Sequence, residues 1–325
     1  MTHIPSPSYS ITIRLEIESR IGMFAQIATA ISQAGGDLCS IDIVRVEKGK
    51  IIRDVTVNAR DEEHEKVIVK AMKNISGVKV LRVMDRTFFA HQGGKIEIHN
   101  KIPLRNRDDL SKAYTPGVAR ICIDIHENKR HAYRYTIKGN SVAVITDGTA
   151  VLGLGDIGPE AALPVIEGKA MIFKEFAGID AFPIALSTTD VEEIVNTIKS
   201  ISHTFGGISL EDISAPRCFE IEKRLQQELD IPVIHDDQHG TAVVVLAALM
   251  NVSRLLKMKV EKFKVVIVGA GAAGTATALM LSAYGVRDIV VCDRAGAIYE
   301  GRRQNMNPYK RALAKKTNPR KVRGS

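Results

Sequence analysis

The stretch Ile231–Met250, IPVIHDDQHGTAVVVLAALM, decides how the chain is read. Ile231 to Ile234 has the length and β-branching of a buried strand, and it stops at His235-Asp236-Asp237. Gly240 and Thr241 then open a long apolar run that reads as a buried helix. Asp236 and Asp237 are thereby expected in the loop leaving the carboxyl end of a strand, where open α/β sheets bind ligands. A second stretch repeats the design. Gly207-Ile208-Ser209-Leu210 reads as a strand, Glu211-Asp212 follow, and Ser214-Ala215-Pro216 reads as a cap with proline in the first helical turn. Either acid pair alone is explained by helix capping and the helix dipole. Both together, on one sheet edge, suit a hard divalent cation, magnesium or manganese.

Composition sets outer bounds. At 325 residues the chain can hold two or three domains with their own cores. It lacks an uncharged apolar run of about 18 residues, so no membrane span is expected, and its first residues do not form a secretory signal. Cys39, Cys122, Cys218 and Cys292 are scattered without Cys-x-x-Cys spacing, which fits reduced thiols and a cytoplasmic location. The net charge is +8, yet residues 301–325 alone carry nine Lys or Arg and no acid, so the rest of the chain is close to neutral. Nucleic-acid binding would call for a basic, aromatic-interleaved face on a folded domain, and none is visible.

Residues 9–88 read as a self-contained unit. Ile11, Ile13, Leu15 and Ile17 alternate with polar residues as in a strand buried on one face. Gly22 opens a helix through Phe24, Ile27, Ala28 and Ile31, which stops at Gly35-Gly36. Strands follow around Cys39–Ile43 and Ile51–Val57, then a helix with Val67, Ile68, Ala71 and Met72, and a last strand at Val78–Leu81. The order βαββαβ is ferredoxin-like. With Gly22 at the turn and Gly36-Asp37 leading into the second strand, the unit resembles an ACT domain. That resemblance implies a small-molecule effector and pairing of copies. Phe89–Lys101 reads as a connector.

Beyond it, strands at Ser141–Ile145 and Asp180–Leu186 alternate with helices, implying a parallel sheet covered on both faces. Asp147-Gly148 reads as a tight hairpin turn. Gly153–Gly158 fits G-x-G-x-x-G by letter, but Pro159 follows and no acid ends a second strand, so it is expected to line a substrate site instead. Lys169 lies among Val165, Ile166, Ala170, Met171 and Ile172. It is either a base with a lowered pKa or a lysine that keeps its head in water. Tyr114, beside Pro116-Gly117, is read alone as a packing residue.

A third unit begins at Lys262. A strand runs into Gly269-Ala270-Gly271-Ala272-Ala273-Gly274, a helix follows from Thr275 to Tyr284, and a second strand ends at Asp293. This is the context a dinucleotide fingerprint requires. Gly269 makes the turn, Gly271 lets a pyrophosphate approach, Gly274 packs helix on strand, and Asp293 is placed for a ribose hydroxyl. Asp293 favours NAD, while Arg294 leaves NADP open as a 2′-phosphate partner. A Rossmann domain carries roughly five or six parallel strands, and only about two fit before Ser325. The segment therefore reads as the start of such a domain, with Arg302–Arg323 as its outer helix.

AYTPGVA (113–119), VAVITDGTAVLGLGDIGPEAALPVIEGKA (142–170), FAGIDAFPI (176–184), LEDISAPRCFEIE (210–222), IPVIHDDQHGT (231–241) and VVIVGAGAAG (265–274) occur in this order. Together they resemble the bacterial and archaeal malic enzymes that carry an N-terminal ACT domain. Asp156 stands where members of that family often have Asn. The resemblance implies an α/β protein with an ACT domain (9–88), a malic-enzyme substrate and metal domain (93–257) and an incomplete Rossmann domain (258–325). It implies oxidative decarboxylation of malate to pyruvate with NAD(P), and a homodimer or higher homo-oligomer. Lys169 would be the general base, Tyr114 the acid, Glu211, Asp212 and Asp237 the metal ligands, and Asp236 their support. A malolactic-type enzyme releasing lactate is the alternative within the class. A non-catalytic, effector-binding ACT module is the alternative outside it.

Overall fold

Ile11, Ile13, Leu15 and Ile17 are all buried along β1 (Ser6–Glu18), as their alternation requires. This strand is central in a computed structural model that describes residues 4–324. β1 pairs antiparallel with β3 (Lys50–Ala59) and β4 (Val78–Asp85), and β2 (Asp37–Glu47) adds to β3, giving the order β2-β3-β1-β4. Helices Met23–Gln33 and Glu62–Lys73 bury Met23, Ile27, Ile31, Ile68 and Met72 against Ile11, Ile13, Val55 and Val57. Asp61 caps the second helix by accepting from the His64 N–H at 2.8 Å. Gly36 is dictated by packing, because a Cβ there would lie 2.9 Å from Val57 Cγ1 and 3.0 Å from Ile68 Cδ1. The ferredoxin-like arrangement holds. Phe89, expected in the connector, instead sits in a short helix, Arg86–His91, that Asp85 caps.

The chain divides into two units, Met1–Lys95 and Ile96–Ser325. In the second, β5 (Ser141–Thr146), β6 (Asp180–Ala185), β7 (Gly207–Leu210) and β8 (Val233–His235) form a parallel sheet ordered β6-β5-β7-β8. Helices Val191–Ile201 and Arg217–Glu228 pack Ile194, Ile198, Ile221 and Leu225 against Ala143, Ile145, Ile208 and Leu210. From β5 the chain steps outward to β6, then returns to the other side of β5 as β7. The order reverses there, and a crevice opens at the carboxyl ends.

Four local expectations change. Asp147-Gly148 is no hairpin, because β5 has only parallel neighbours and no strand returns beside it. Gly148 has φ +69°, and a Cβ on it would sit 2.1 Å from the Gly158 carbonyl oxygen. Ser214 does not cap through its side chain; Pro216 holds the cap position before Arg217. The strand expected at Ile231–Ile234 is only Val233–His235, and the helix begins at Asp236, so both acids lie in its first turn. That helix, Asp236–Leu256, is also not buried as its apolar run suggested: Val244 and Leu255 are 64% and 82% exposed. It is long and apolar enough by composition to cross a membrane, yet its first turn enters the acid cluster and it packs along helix Ala272–Tyr284. Apolarity marks a face that favours cover; one neighbouring helix covers only part of it.

The last part pairs β9 (Lys264–Val268) parallel with β10 (Asp288–Asp293), and β11 (Gly296–Ala297) returns antiparallel to β10. Helix Pro308–Lys316 packs Leu313 and Ala314 onto Leu281, Ile289 and Val291. The basic segment is helical only over Pro308–Lys316, shorter than the outer helix expected over Arg302–Arg323.

Candidate active site and dinucleotide loop

Three neighbouring strands end at the crevice, and each delivers an acid: Asp147 after β5, Glu211 and Asp212 after β7, Asp236 and Asp237 after β8. Glu211, Asp212 and Asp237 each place one carboxylate oxygen so that the three lie within 4.8 Å of one another. The backbone is shaped for this. Glu211 N–H donates to Ile145 O at 2.8 Å. Asp212 then turns into the left-handed region (φ 55°), a conformation costing about 1 kcal/mol or more for a non-glycine residue and concentrated at functional sites. Asp212 N–H donates to Asp237 Oδ2 at 3.0 Å, tying the two strand ends together. Lys169 Nζ donates to Asp236 Oδ2 at 2.6 Å and lies 3.3 Å from Glu211 Oε2. Gly240 makes room for Asp236, since a Cβ there would be 2.6 Å from Asp236 Oδ1.

Electrostatics show what this cluster lacks. Burial pushes the Glu211 carboxyl up to about 8, with Lys169 opposing and the charges of Asp236 and Asp237 adding to the rise. Burial and the neighbouring Asp237 push Asp212 up to about 6. Asp212 Oδ2 is buried without a hydrogen-bond partner, which is costly for a carboxylate. Crowded, desolvated oxygens of this kind fit a hard divalent cation, which supplies the positive charge and ligand contacts they are short of. Of the two sequence readings of Lys169, the lowered pKa does not hold. Burial pulls it down, but the hydrogen bond to Asp236 and the charges of Glu211 and Asp236 outweigh that and raise it.

A pH dependence follows. Glu211 and Asp212 hold protons in the folded, metal-free protein at pH values where the unfolded chain has released them. Folding therefore takes up protons, and these groups make the metal-free protein less stable as pH rises from about 4 through about 8. Melting temperatures of chelator-treated protein across that range, with and without manganese, measure it: the decline should flatten when manganese is present. A metal-free melting temperature that climbs through this interval contradicts the assignment.

Two networks around the cluster were not foreseen from the sequence. Asp147, with its side chain fully buried, receives Arg217 Nη2 at 2.6 Å and Thr149 Oγ1 at 2.6 Å, and Thr149 Oγ1 accepts from Ser214 N–H at 3.1 Å. Glu222, also buried, accepts from His235 N–H at 2.8 Å and from Gln238 Nε2 at 3.0 Å, with His239 Nε2 at 3.0 Å. One signal was available: Glu222 falls in the buried stripe Cys218, Ile221, Leu225 of its helix, an unusual place for an acid.

Tyr114 ends helix Arg107–Ala113 with its ring 67% exposed, outside the hydrogen bonds that join Lys169 to the acids. The Gly153–Gly158 loop closes on itself through a Val151–Gly155 bridge before helix Pro159–Ala177, and Asp156 is exposed.

At the second glycine loop, Gly269 has φ +115° and open space where a Cβ would project, as does Gly271. Gly274 could carry no side chain, because its Cβ would sit 1.9 Å from the Gly269 carbonyl oxygen. These are the turn, the open approach and the close helix packing of a dinucleotide site; Ala270, Ala272 and Ala273 keep the loop small, and the helix starts at Ala272. Asp293 departs from expectation. Its carboxylate accepts from Ala295 N–H at 2.8 Å, Arg302 Nη2 at 2.7 Å, Lys310 Nζ at 2.7 Å and Asn305 Nδ2 at 3.1 Å. Burial alone would raise its pKa, but Lys310 and Arg302 prevail and hold it at about 2. Its lone pairs are thus taken up by the chain and do not face a ribose, while neighbouring Arg294 is exposed.

Residues 93–226 match the malic enzyme N-terminal domain, 238–324 the malic enzyme NAD-binding domain, and 5–82 an ACT domain. An NAD-dependent malic enzyme of Geobacillus stearothermophilus is 58% identical over 316 residues, 97% of this chain and 66% of that protein. A bifunctional malic/malolactic enzyme of Bacillus subtilis is 60% identical over 232 residues, 71% of this chain and 57% of that one. The crystal structure of the NAD-dependent malic enzyme of Thermotoga maritima superposes with a TM-score of 0.72 at 47% identity, covering 74% of this chain and 64% of that one. The chain thus spans about two thirds or less of the length of these relatives. With both malic enzyme domains matched in order, and with the acids and glycines of those domains held in the geometry above, the chain belongs to the malic enzyme family.

Proposed function

We propose that the protein oxidatively decarboxylates (S)-malate to pyruvate and carbon dioxide with reduction of NAD. The observation that carries this reading is the convergence of Glu211, Asp212 and Asp237 within 4.8 Å, facing the Lys169 amine. Glu211, Asp212 and Asp237 would hold magnesium or manganese, which supplies the charge that polarises the C2 oxygen and stabilises the electrons left by departing carbon dioxide. Lys169 Nζ takes the C2-hydroxyl proton. Of the two carboxylates that keep this amine charged, Asp236 and Glu211, the cation would occupy Glu211, and a loaded site would thereby remove part of that support and bring Lys169 closer to a working base. Asp236 aims the amine through its 2.6 Å hydrogen bond. Gly269–Gly274 would seat the dinucleotide, which would supply the hydride acceptor. Tyr114, assigned by its AYTPGVA motif, returns a proton to the enol carbon.

NAD is favoured over NADP by the 58% identical NAD-dependent relative. The ACT unit is the place for an effector and for pairing of copies, supported by Ile43, Val44 and Val46 exposed along its edge strand β2. Four free thiols, two of them exposed, support a reducing, cytoplasmic setting. The 60% identity to a bifunctional malic/malolactic enzyme favours a second reading, in which bound NAD is recycled and lactate released. Incubating the protein with malate, manganese and NAD separates the two. Accumulating NADH with pyruvate is expected; lactate without accumulating NADH contradicts the oxidative reading.

A further inference from the structure

His235 is completely buried at the end of β8. Its N–H is held by Glu222 Oε1 at 2.8 Å. Its Nδ1 lies 3.1 Å from Gln238 Nε2, and its Nε2, buried without a hydrogen-bond partner, lies 3.3 Å from Asp237 Oδ2. Gln238, itself 5% exposed, also places Nε2 3.0 Å from Glu222 Oε2.

These contacts have one consistent set of hydrogens. A carboxylate only accepts, so Glu222 forces Gln238 to turn its NH2 group inward rather than its carbonyl oxygen. The second hydrogen of that NH2 group then points at His235 Nδ1, which must accept it. The ring hydrogen is left on Nε2, which makes no hydrogen bond but lies 3.3 Å from Asp237 Oδ2, the carboxylate oxygen it faces when the two close up. That same oxygen receives the Asp212 N–H at 3.0 Å, so Asp237 Oδ2 sits between a backbone donor and the edge of the His235 ring.

We propose that Glu222, Gln238 and His235 form a positioning relay that sets the His235 tautomer and, through it, the orientation of Asp237 as a metal ligand. The inference rests on the metal reading above. His235 and Gln238 touch no reacting atom; they act through the carboxylate. Outer contacts of this kind typically account for 10- to 100-fold in metal affinity.

Nitrogen-15 spectra of histidine-labelled, metal-free protein read the tautomer directly, the His235 signals being identified by their loss in a His235 variant. A hydrogen on Nε2 and a bare Nδ1 are expected. A hydrogen on Nδ1, or on both nitrogens, overturns the relay. Manganese titration by electron paramagnetic resonance then tests its consequence. His235→Met fills the buried space without a donor and should weaken manganese binding by about 10- to 100-fold. His235→Gln restores an N–H near the Nε2 position and should recover most of that loss. Should the Met variant bind as tightly as the wild type, the relay is wrong although the metal site stands. Should the wild type itself fail to bind manganese, the metal reading fails first. Gln238→Met, which removes the donor to Nδ1, should move the Nε2 hydrogen signal toward a mixture of tautomers; an unchanged spectrum overturns the role of Gln238.

Discussion

Asp237→Ala is expected to abolish measurable turnover and to weaken manganese binding by about 100-fold or more. Loss of an outer contact to a metal ligand alone costs about 10- to 100-fold, and this change removes the ligand itself. It also removes the acceptor for Asp212 N–H, so the left-handed turn that aims Asp212 loses its tether at 3.0 Å. Both effects act on the same site. Folding should survive, because Asp237 is half-buried at the crevice and lies outside the core formed by Ala143, Ile145, Ile208 and Leu210. Manganese titration beside thermal denaturation checks this: lost binding with a folded protein is the expected pair. Normal manganese binding in the variant removes Asp237 from the ligand set.

Lys169→Ala is expected to lower turnover by about 100- to 10,000-fold while leaving manganese binding intact or tighter. The amine competes with a cation for Glu211, 3.3 Å away, so its removal frees that carboxylate. The variant should take up malate and metal and stall before hydride transfer, which a rapid-mixing assay sees as a missing NADH burst. Lys169→Arg should not rescue it, because a guanidinium stays charged and cannot accept the proton. Turnover within tenfold of wild type in Lys169→Ala contradicts the role of base.

Much of this architecture is legible in the residues, for physical reasons. A strand buried on one face repeats every two residues, so Ile11, Ile13, Leu15 and Ile17 announce β1 without help from the rest of the chain. The dinucleotide loop is legible because Gly274 leaves only a hydrogen's width beside the Gly269 carbonyl. The meeting of the acids at one sheet edge is legible because strand ends in a parallel sheet share that edge, although Asp236 and Asp237 lie in a helix's first turn and not in a loop. What could not be read is where side chains point once elements meet. Asp293 ends its strand as expected, yet Arg302 and Lys310 fold back and claim it, a choice made by the segment's own packing. The neighbours of Lys169 in sequence leave its charge open, and only the approach of Asp236 across 67 residues of chain shows that it is upheld. Helix Asp236–Leu256 looked buried because apolar residues surround its axis, but burial depends on neighbours that local sequence does not name. The relay through Glu222 was hidden for the same reason, its members lying on two helices and a strand end.

The central claim is that oxygens of Glu211, Asp212 and Asp237 share one cation beside Lys169. Crystals soaked in manganese, with diffraction collected at the manganese absorption edge, test it most directly. The account predicts a single anomalous peak at this crevice, in contact with a carboxylate oxygen from each of the three residues. A peak elsewhere with none here, or a peak here that one of the three carboxylates does not touch, would contradict it.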